Sequence, residues 1–393
     1  MLKQGSQFGK YRIERKLGSG GMGAVYRAVD TEKNRVVAIK VIHPHIAEIE
    51  QFIKRFHQEA MLLEKLAHPR VVRIYESGQI DGHHYIAMEY VTGKSLTALM
   101  REREEVAAGQ PTVASEAAPP MPTFRPFPEP AVLRVLEQMA RVLQEAHELG
   151  VIHRDIKPDN IIVTNTERWD IKLLDFGIAK DTRELHTMVS QTGQVIGTPA
   201  YMSPEQCEGK RLDIRSDIYS LGVTAYQLLA GRLPFPGPTT MAFMKQHLLE
   251  EPPPLRQVNP AVSDGVAAVV AKMLQKEPQK RYQTPQDLLE EINRIRRGEP
   301  PRALLELSSS RRQTADVATT RPPDAVMPPA EQTPEAVSAE SDELTVRRER
   351  VRPAPQKAPG RLPPQHRVNA APHPSLSFYC CLSQAAALQD TGS

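Results

Sequence analysis

The sequence predicts an α+β fold, strands first and helices after, followed by a disordered tail. Three observations carry the prediction. Residues 8–42 alternate apolar and polar side chains around a glycine-rich turn, the period-two signature of half-buried strands. From Ala131 onwards apolar residues recur at helical spacing, and helical patterns continue to about Arg297. After Gly298-Glu299-Pro300-Pro301 the chain is rich in Pro, Ala, Ser and Thr and poor in aromatics. Such a composition cannot bury enough apolar surface to offset chain entropy.

Bulk properties exclude several classes. A formal net charge of +3 with 25% charged residues gives no general reason to expect nucleic acid as a partner. Cys207, Cys380 and Cys381 make no disulfide framework, so a reducing, cytoplasmic compartment is the expectation. Residues 1–10 are polar and lack the apolar core of a signal peptide. No stretch reaches the roughly 20 apolar residues that span a bilayer. The longest apolar-rich run, 218–230, is interrupted by Ser220, Thr224 and Gln227 and reads as a buried helix.

In chain order, Leu17-Gly18-Ser19-Gly20-Gly21-Met22-Gly23-Ala24-Val25 is the glycine-rich turn. Glycines let a backbone approach a phosphate and adopt positive φ. A dinucleotide turn would need a helix next; Val25-Tyr26-Arg27-Ala28-Val29 is a strand pattern instead. The following strand, 36–40, ends on Lys40. Phe52, Phe56, Leu63 and Leu66 then give one apolar face to a helix over about 49–66, which also carries Glu50, Glu59 and Glu64. Residues 71–75 and 84–91 read as two more strands of the same small sheet. Residues 102–130, rich in Pro and Ala with little periodicity, read as an inserted surface loop docked through Phe124 and Phe127. A strong amphipathic helix over 131–149 follows, with Gly150 as its cap.

The chemistry concentrates in His153-Arg154-Asp155-Ile156-Lys157-Pro158-Asp159-Asn160. Pro158 rules out a continuous helix, so this is a loop. Short strands follow at 161–163 and 171–174, the second leading into Asp175-Phe176-Gly177. A base, a cation, an amide oxygen and a second carboxylate are the parts needed to move a phosphoryl group with Mg²⁺.

With His-Arg-Asp, Asn160 and Asp-Phe-Gly in this order, the chain resembles the eukaryotic-like serine/threonine protein kinases of bacteria over about residues 8–297. The resemblance implies a bilobal fold: a small antiparallel sheet lobe with one helix, a larger helical lobe, and ATP between them. Gly18, Ser19, Gly20, Gly21, Met22 and Gly23 would cover the phosphates, and Leu17, Val25, Ala38 and Ile162 would line the nucleotide. Met88 would stand at the back of the pocket, with the Glu89 and Val91 backbones meeting the adenine edge. Lys40 would hold the α and β phosphates, oriented by Glu59. Asn160 and Asp175 would ligate Mg²⁺, with Mn²⁺ as the alternative. Asp155 would accept the proton of a Ser or Thr hydroxyl on a protein substrate, and Lys157 would balance charge at the transferred phosphate. Asp217 would hold the catalytic loop's backbone, and Arg281 would pair with Glu205 of Ser203-Pro204-Glu205. A pseudokinase scaffold is the competing reading; it predicts loss of a catalytic group, and every one named here is present.

By the same likeness the loop before Ser203-Pro204-Glu205 would be autophosphorylated, at Thr192 first and then Ser190 or Thr187, with Arg154 as the cation that pairs with the new phosphate. Thr198 would face Asp155 and Lys157. The tail, 298–393, carries Thr314, Thr333 and Thr345, which on phosphorylation would recruit phosphopeptide-binding partners.

Overall fold

The computed structural model describes residues 2–107, 124–176 and 199–309, without the side chains of Gln51, Arg55, Glu59 and 105–107. The middle of the insertion, the segment expected to be phosphorylated and the tail beyond 309 lie outside the described residues.

The N-terminal lobe is a six-stranded antiparallel sheet. Its strands are β1 (Gln7–Phe8), β2 (Tyr11–Ser19), β3 (Gly23–Asp30), β4 (Arg35–Ile42), β5 (Ile74–Ile80) and β6 (His83–Glu89), in the order β1-β2-β3-β4-β6-β5. The alternation read from the sequence sorts their side chains. Val37 and Ile39 of β4 pack with Phe8, Tyr11, Tyr26 and Tyr85 on one face. Ala38, with Leu17, Val25 and Met88, belongs to the core on the other. A short helix, α1 (Pro44–Ala47), follows β4, and that second face is covered by α2 (Glu50–Lys65), whose Phe52, Phe56 and Leu63 are buried as the helical spacing requires. Each such side chain contributes roughly 1.5–3 kcal/mol on burial.

One expected strand is displaced. The apolar run 71–75 was read as a strand, but the ladder begins at Ile74 and continues to Ile80. Val71 and Val72 are buried elsewhere: the Val72 N–H donates to Leu173 O at 3.0 Å, and the Leu173 N–H donates to Arg70 O at 2.8 Å. Their hydrophobicity serves this junction rather than the sheet.

After β6 the chain runs through β7 (Lys94–Ser95) into α3 (Leu96–Ala107). Phe124 and Phe127, at the returning end of the insertion, are buried as expected. Their N–H groups donate to Gly231 O and Leu228 O at 3.1 and 2.9 Å, and the Phe127 ring meets Trp169 edge-on. Helix α4 (Glu129–Glu148) buries Val132, Val135, Leu136, Met139, Val142, Leu143 and Ala146, the stripe the sequence displays. Gly150, at φ +73, ends it by donating to His147 O. A three-stranded sheet of β7, β8 (Ile161–Asn165) and β9 (Asp170–Leu173) then frames the site. The helix Ile214–Ala230 is buried along most of its length and capped by the Asp213 side chain, so the apolar run in the sequence is core.

Past the expected end of the helical region, residues 302–309 form one more helix. The carboxylate of buried Glu291 accepts the N–H groups of Arg302 and Ala303 at its start, at 3.1 and 2.9 Å. Among the described residues no helix is long and apolar enough to cross a membrane.

Candidate active site

A cleft of about 1050 Å³ lies between the two lobes. The small lobe lines it with Leu17, Val25, Ala38 and Met88, and the connecting segment with Glu89, Tyr90 and Val91. Ile162, Leu174 and Asp175 close it from the large lobe. Leu17, Val25, Ala38, Met88, Val91 and Ile162 were expected to meet a nucleotide base; Tyr90 and Leu174 were not singled out in the sequence. Met88 is buried at the inner end of β6. Glu89 spends its N–H on Arg73 O at 2.8 Å, so its carbonyl is the group it can offer to a ligand edge. Its side chain is engaged too, by Lys172 Nζ at 2.5 Å.

The glycine-rich turn joins β2 to β3, and the Gly20 N–H closes it on Gly23 O at 2.8 Å. Positive φ was expected there, but none of Gly20, Gly21 and Gly23 adopts it. Close approach is the reason at Gly23: a Cβ would lie 2.2 Å from Val41 O on the neighbouring strand. At Gly20 and Gly21 a Cβ would meet nothing within 4 Å, so those two leave the surface above the cleft bare.

Lys40 stands on β4, and its Nζ lies 3.0 Å from Oδ1 of Asp175, which lines the cleft. Glu59 stands on α2, but its side chain, and with it the expected pairing to Lys40, lies outside the described residues. Asp175 itself holds φ +32, a backbone state that a β-carbon disfavours. It is held by its surroundings: the Leu174 N–H donates to Asn160 O at 2.8 Å, and the Phe176 ring packs 4.5 Å from the His153 ring.

The loop at 153–160 is a single hydrogen-bonded unit. Lys157 Nζ sits 3.1 Å from Asp155 Oδ2. Asn160 Nδ2 donates to Asp155 O at 2.8 Å and to Asp155 Oδ2 at 3.2 Å. Burial works to lower the Lys157 pKa, but the Asp155 and Asp159 carboxylates outweigh it and raise it above the ordinary lysine value, keeping a cation in place. Burial raises the neighbouring Asp159. Arg154 adopts φ +65, and Asp217 fixes this turn by accepting the N–H groups of His153 and Arg154. Burial pushes the Asp217 carboxyl up to about 7 against the pull of those two donors.

With its amide nitrogen committed to Asp155, Asn160 has its Oδ1 as the atom to offer a cation. Asp175 contributes carboxylate oxygen. Two hard oxygen donors fit Mg²⁺, which takes few protein ligands and completes its shell with water and substrate oxygens.

Deeper support comes from Arg281, whose two guanidinium N–H groups meet the two Glu205 oxygens at 2.8 and 2.9 Å, fully buried. Gln206, not singled out in the sequence, donates from Nε2 to Arg154 O at 2.9 Å. Its side-chain oxygen also completes a capping box with Ser203. The Ser203-x-x-Gln206 spacing could have flagged that second role.

A family model described as the protein kinase domain matches residues 11–291. Serine/threonine-protein kinase pkn2 of Myxococcus xanthus is 39% identical over 72% of this chain and 32% of its own length. PrkC of Bacillus subtilis is 37% identical over 72% of this chain and 40% of its own. PknB of Mycobacterium tuberculosis is 35% identical over 77% and 45%. The chain therefore spans about a third to just under a half of the length of these relatives. Among solved structures, the Mycobacterium tuberculosis PknI kinase domain superposes with a TM-score of 0.56 at 28% identity, covering 75% of this chain and 99% of that one.

Proposed function

We propose that this chain, which belongs to the protein kinase family and carries a serine/threonine kinase domain, transfers the γ-phosphate of ATP to Ser and Thr hydroxyls of protein substrates. The observations that support this most are the hydrogen-bonded set of Asp155, Lys157 and Asn160, and the pairing of Lys40 with Asp175, which lines the cleft between the lobes. Phosphoryl transfer needs little covalent help from the protein; it needs positioning and charge neutralisation.

In this reading Asp155 accepts the proton of the attacking hydroxyl. Lys157, whose Nζ lies 3.1 Å from that carboxylate, adds positive charge beside the transferred group. Lys40 holds the α and β phosphates, with Glu59 as its orienting partner. Leu17, Val25, Ala38, Met88 and Ile162 sandwich the base, the carbonyl of Glu89 and the backbone of Val91 meet its edge, and Gly18 to Gly23 cover the phosphates. Asn160 and Asp175 hold Mg²⁺, which when bound neutralises charge on the phosphate oxygens.

The enzyme is further proposed to phosphorylate its own loop at Thr192, with Ser190 and Thr187 as secondary sites. Arg154, adjacent to Asp155, is the cation the new phosphate would meet. Phosphorylated threonines in the tail would serve phosphopeptide-binding partners.

Incubation with γ-labelled ATP, Mg²⁺ and a generic basic protein, followed by phosphoamino-acid analysis, tests the reading. Label on serine and threonine is expected. ATP binding without any transfer would point to a scaffold instead. Wild type, Thr192→Ala, Ser190→Ala and the double variant, assayed after phosphatase treatment, test the loop. Full rate from the first minute in the double variant would remove the switch.

A further inference from the structure

We infer that His43 is a positioning residue for the glycine-rich turn, setting its height over the bound nucleotide. The inference rests on the kinase reading above but uses a residue outside the groups named there. His43 directly follows β4, the strand that carries Lys40. Its backbone N–H donates to Met22 O at 3.0 Å. Its ring Nε2 lies 3.1 Å from Gly20 O. A carbonyl only accepts, so the ring nitrogen must carry the proton. The neutral Nε2–H tautomer and the imidazolium both satisfy that, and the contact therefore survives protonation.

Two of the turn's carbonyls are thus held by one residue anchored to the lysine strand. The bareness of the tip makes this matter. Gly20 and Gly21 have no neighbour within 4 Å of a Cβ position, while Met22 packs against the core and Gly23 is pinned by the strand beside it. The ring contact therefore holds the part of the turn that side-chain packing does not. The His45 ring stacks against that of His43, with centroids 5.6 Å apart and planes 16° apart, and steadies its orientation. A turn fixed this way enters nucleotide binding already ordered, so part of the ordering cost is met before ATP arrives.

The test compares full-length wild type, His43→Ala and His43→Gln; glutamine places an amide donor at similar reach. Two readouts are taken: steady-state kinetics in ATP, and hydrogen exchange of the 18–23 segment without nucleotide. For His43→Ala the expected result is a KM for ATP raised about three- to tenfold with kcat within about twofold, the loss of one hydrogen bond. Exchange in the turn is faster, exchange in the other strands is unchanged, and His43→Gln restores both. Unchanged exchange in His43→Ala, an unchanged or lower KM, or failure of glutamine to restore either quantity would overturn the role. If the wild type transfers no phosphate, the functional reading fails, while the exchange comparison still decides whether His43 tethers the turn.

Discussion

Asp217 accepts two backbone hydrogen bonds from adjacent residues, the His153 N–H at 2.7 Å and the Arg154 N–H at 2.8 Å. Each carboxylate oxygen takes one donor, and together they hold Arg154 at positive φ immediately before Asp155. Asp217→Asn replaces one acceptor by an NH₂ group that faces an N–H. The expected outcome is a fall in kcat on the order of tenfold or more, with ATP affinity changed by less than about threefold. Kinetics paired with nucleotide titration reads the split. An equal loss of both would assign Asp217 to the whole cleft rather than to the loop.

The Arg281–Glu205 pair sits in the core of the large lobe, and Arg281 also donates to the carbonyls of Gln275, Lys276 and Arg215. Glu205→Ala would leave a buried guanidinium with carbonyl partners but no counter-charge. Urea unfolding should show a loss of about 3–5 kcal/mol. Arg281→Lys should also destabilise, because an ammonium cannot reproduce the two-pronged contact. A cost below about 1 kcal/mol in either variant would contradict this assignment.

His247 offers a pH test. Its ring is buried between Tyr219 OH at Nδ1 and Ala200 O at Nε2, and burial, helped by Lys276, holds its pKa down to about 4. A folded value below the unfolded one means the native state binds fewer protons. The stability this neutral ring contributes is present above about pH 6.5 and fades as pH falls towards 4, by at most about 1.4 kcal/mol per pH unit. Asp217, raised to about 7, has the opposite slope across the same interval. The comparison is therefore between wild type and His247→Gln, whose stability difference should shrink as pH falls from 6.5 to 4. A difference independent of pH would mean that His247 does not titrate this way.

Truncation tests the helix at 302–309. A chain ending at 309 keeps the N–H groups that Glu291 accepts and the Lys272–Glu306 pair. A chain ending at 297 leaves the Glu291 carboxylate buried without them. The first should unfold within about 0.5 kcal/mol of the full chain. The second should lose about 1–3 kcal/mol. Equal stability of the two truncations would make the helix an ornament.

Much of the site was legible because its residues are clustered along the chain. Asp155, Lys157 and Asn160 fall within one loop, and the loop's internal hydrogen bonds bring them together. The Arg281–Glu205 pair was legible only through resemblance, since nothing local links two residues so far apart in sequence. Phe124 and Phe127 were readable as anchors because large aromatic residues in a Pro- and Ala-rich stretch without periodicity have few other uses. The reading missed wherever a local signal answered to a distant partner. Val71 and Val72 look like strand residues but serve the junction with Leu173. Residues 302–309 follow prolines, and the carboxylate that caps them belongs to Glu291 on another helix. Nothing in the sequence around His43 points to the Gly20 carbonyl that its ring Nε2 meets.

The most direct measurement of the central claim is phosphate transfer from ATP to protein Ser and Thr by Asp155→Asn alongside wild type, with ATP affinity determined for both. Asp155 is assigned to the acceptor hydroxyl and not to the nucleotide. The variant should therefore lose on the order of 10²-fold or more in turnover while ATP affinity stays within about threefold. Turnover close to wild type with intact ATP binding would contradict the assignment of Asp155 as the base.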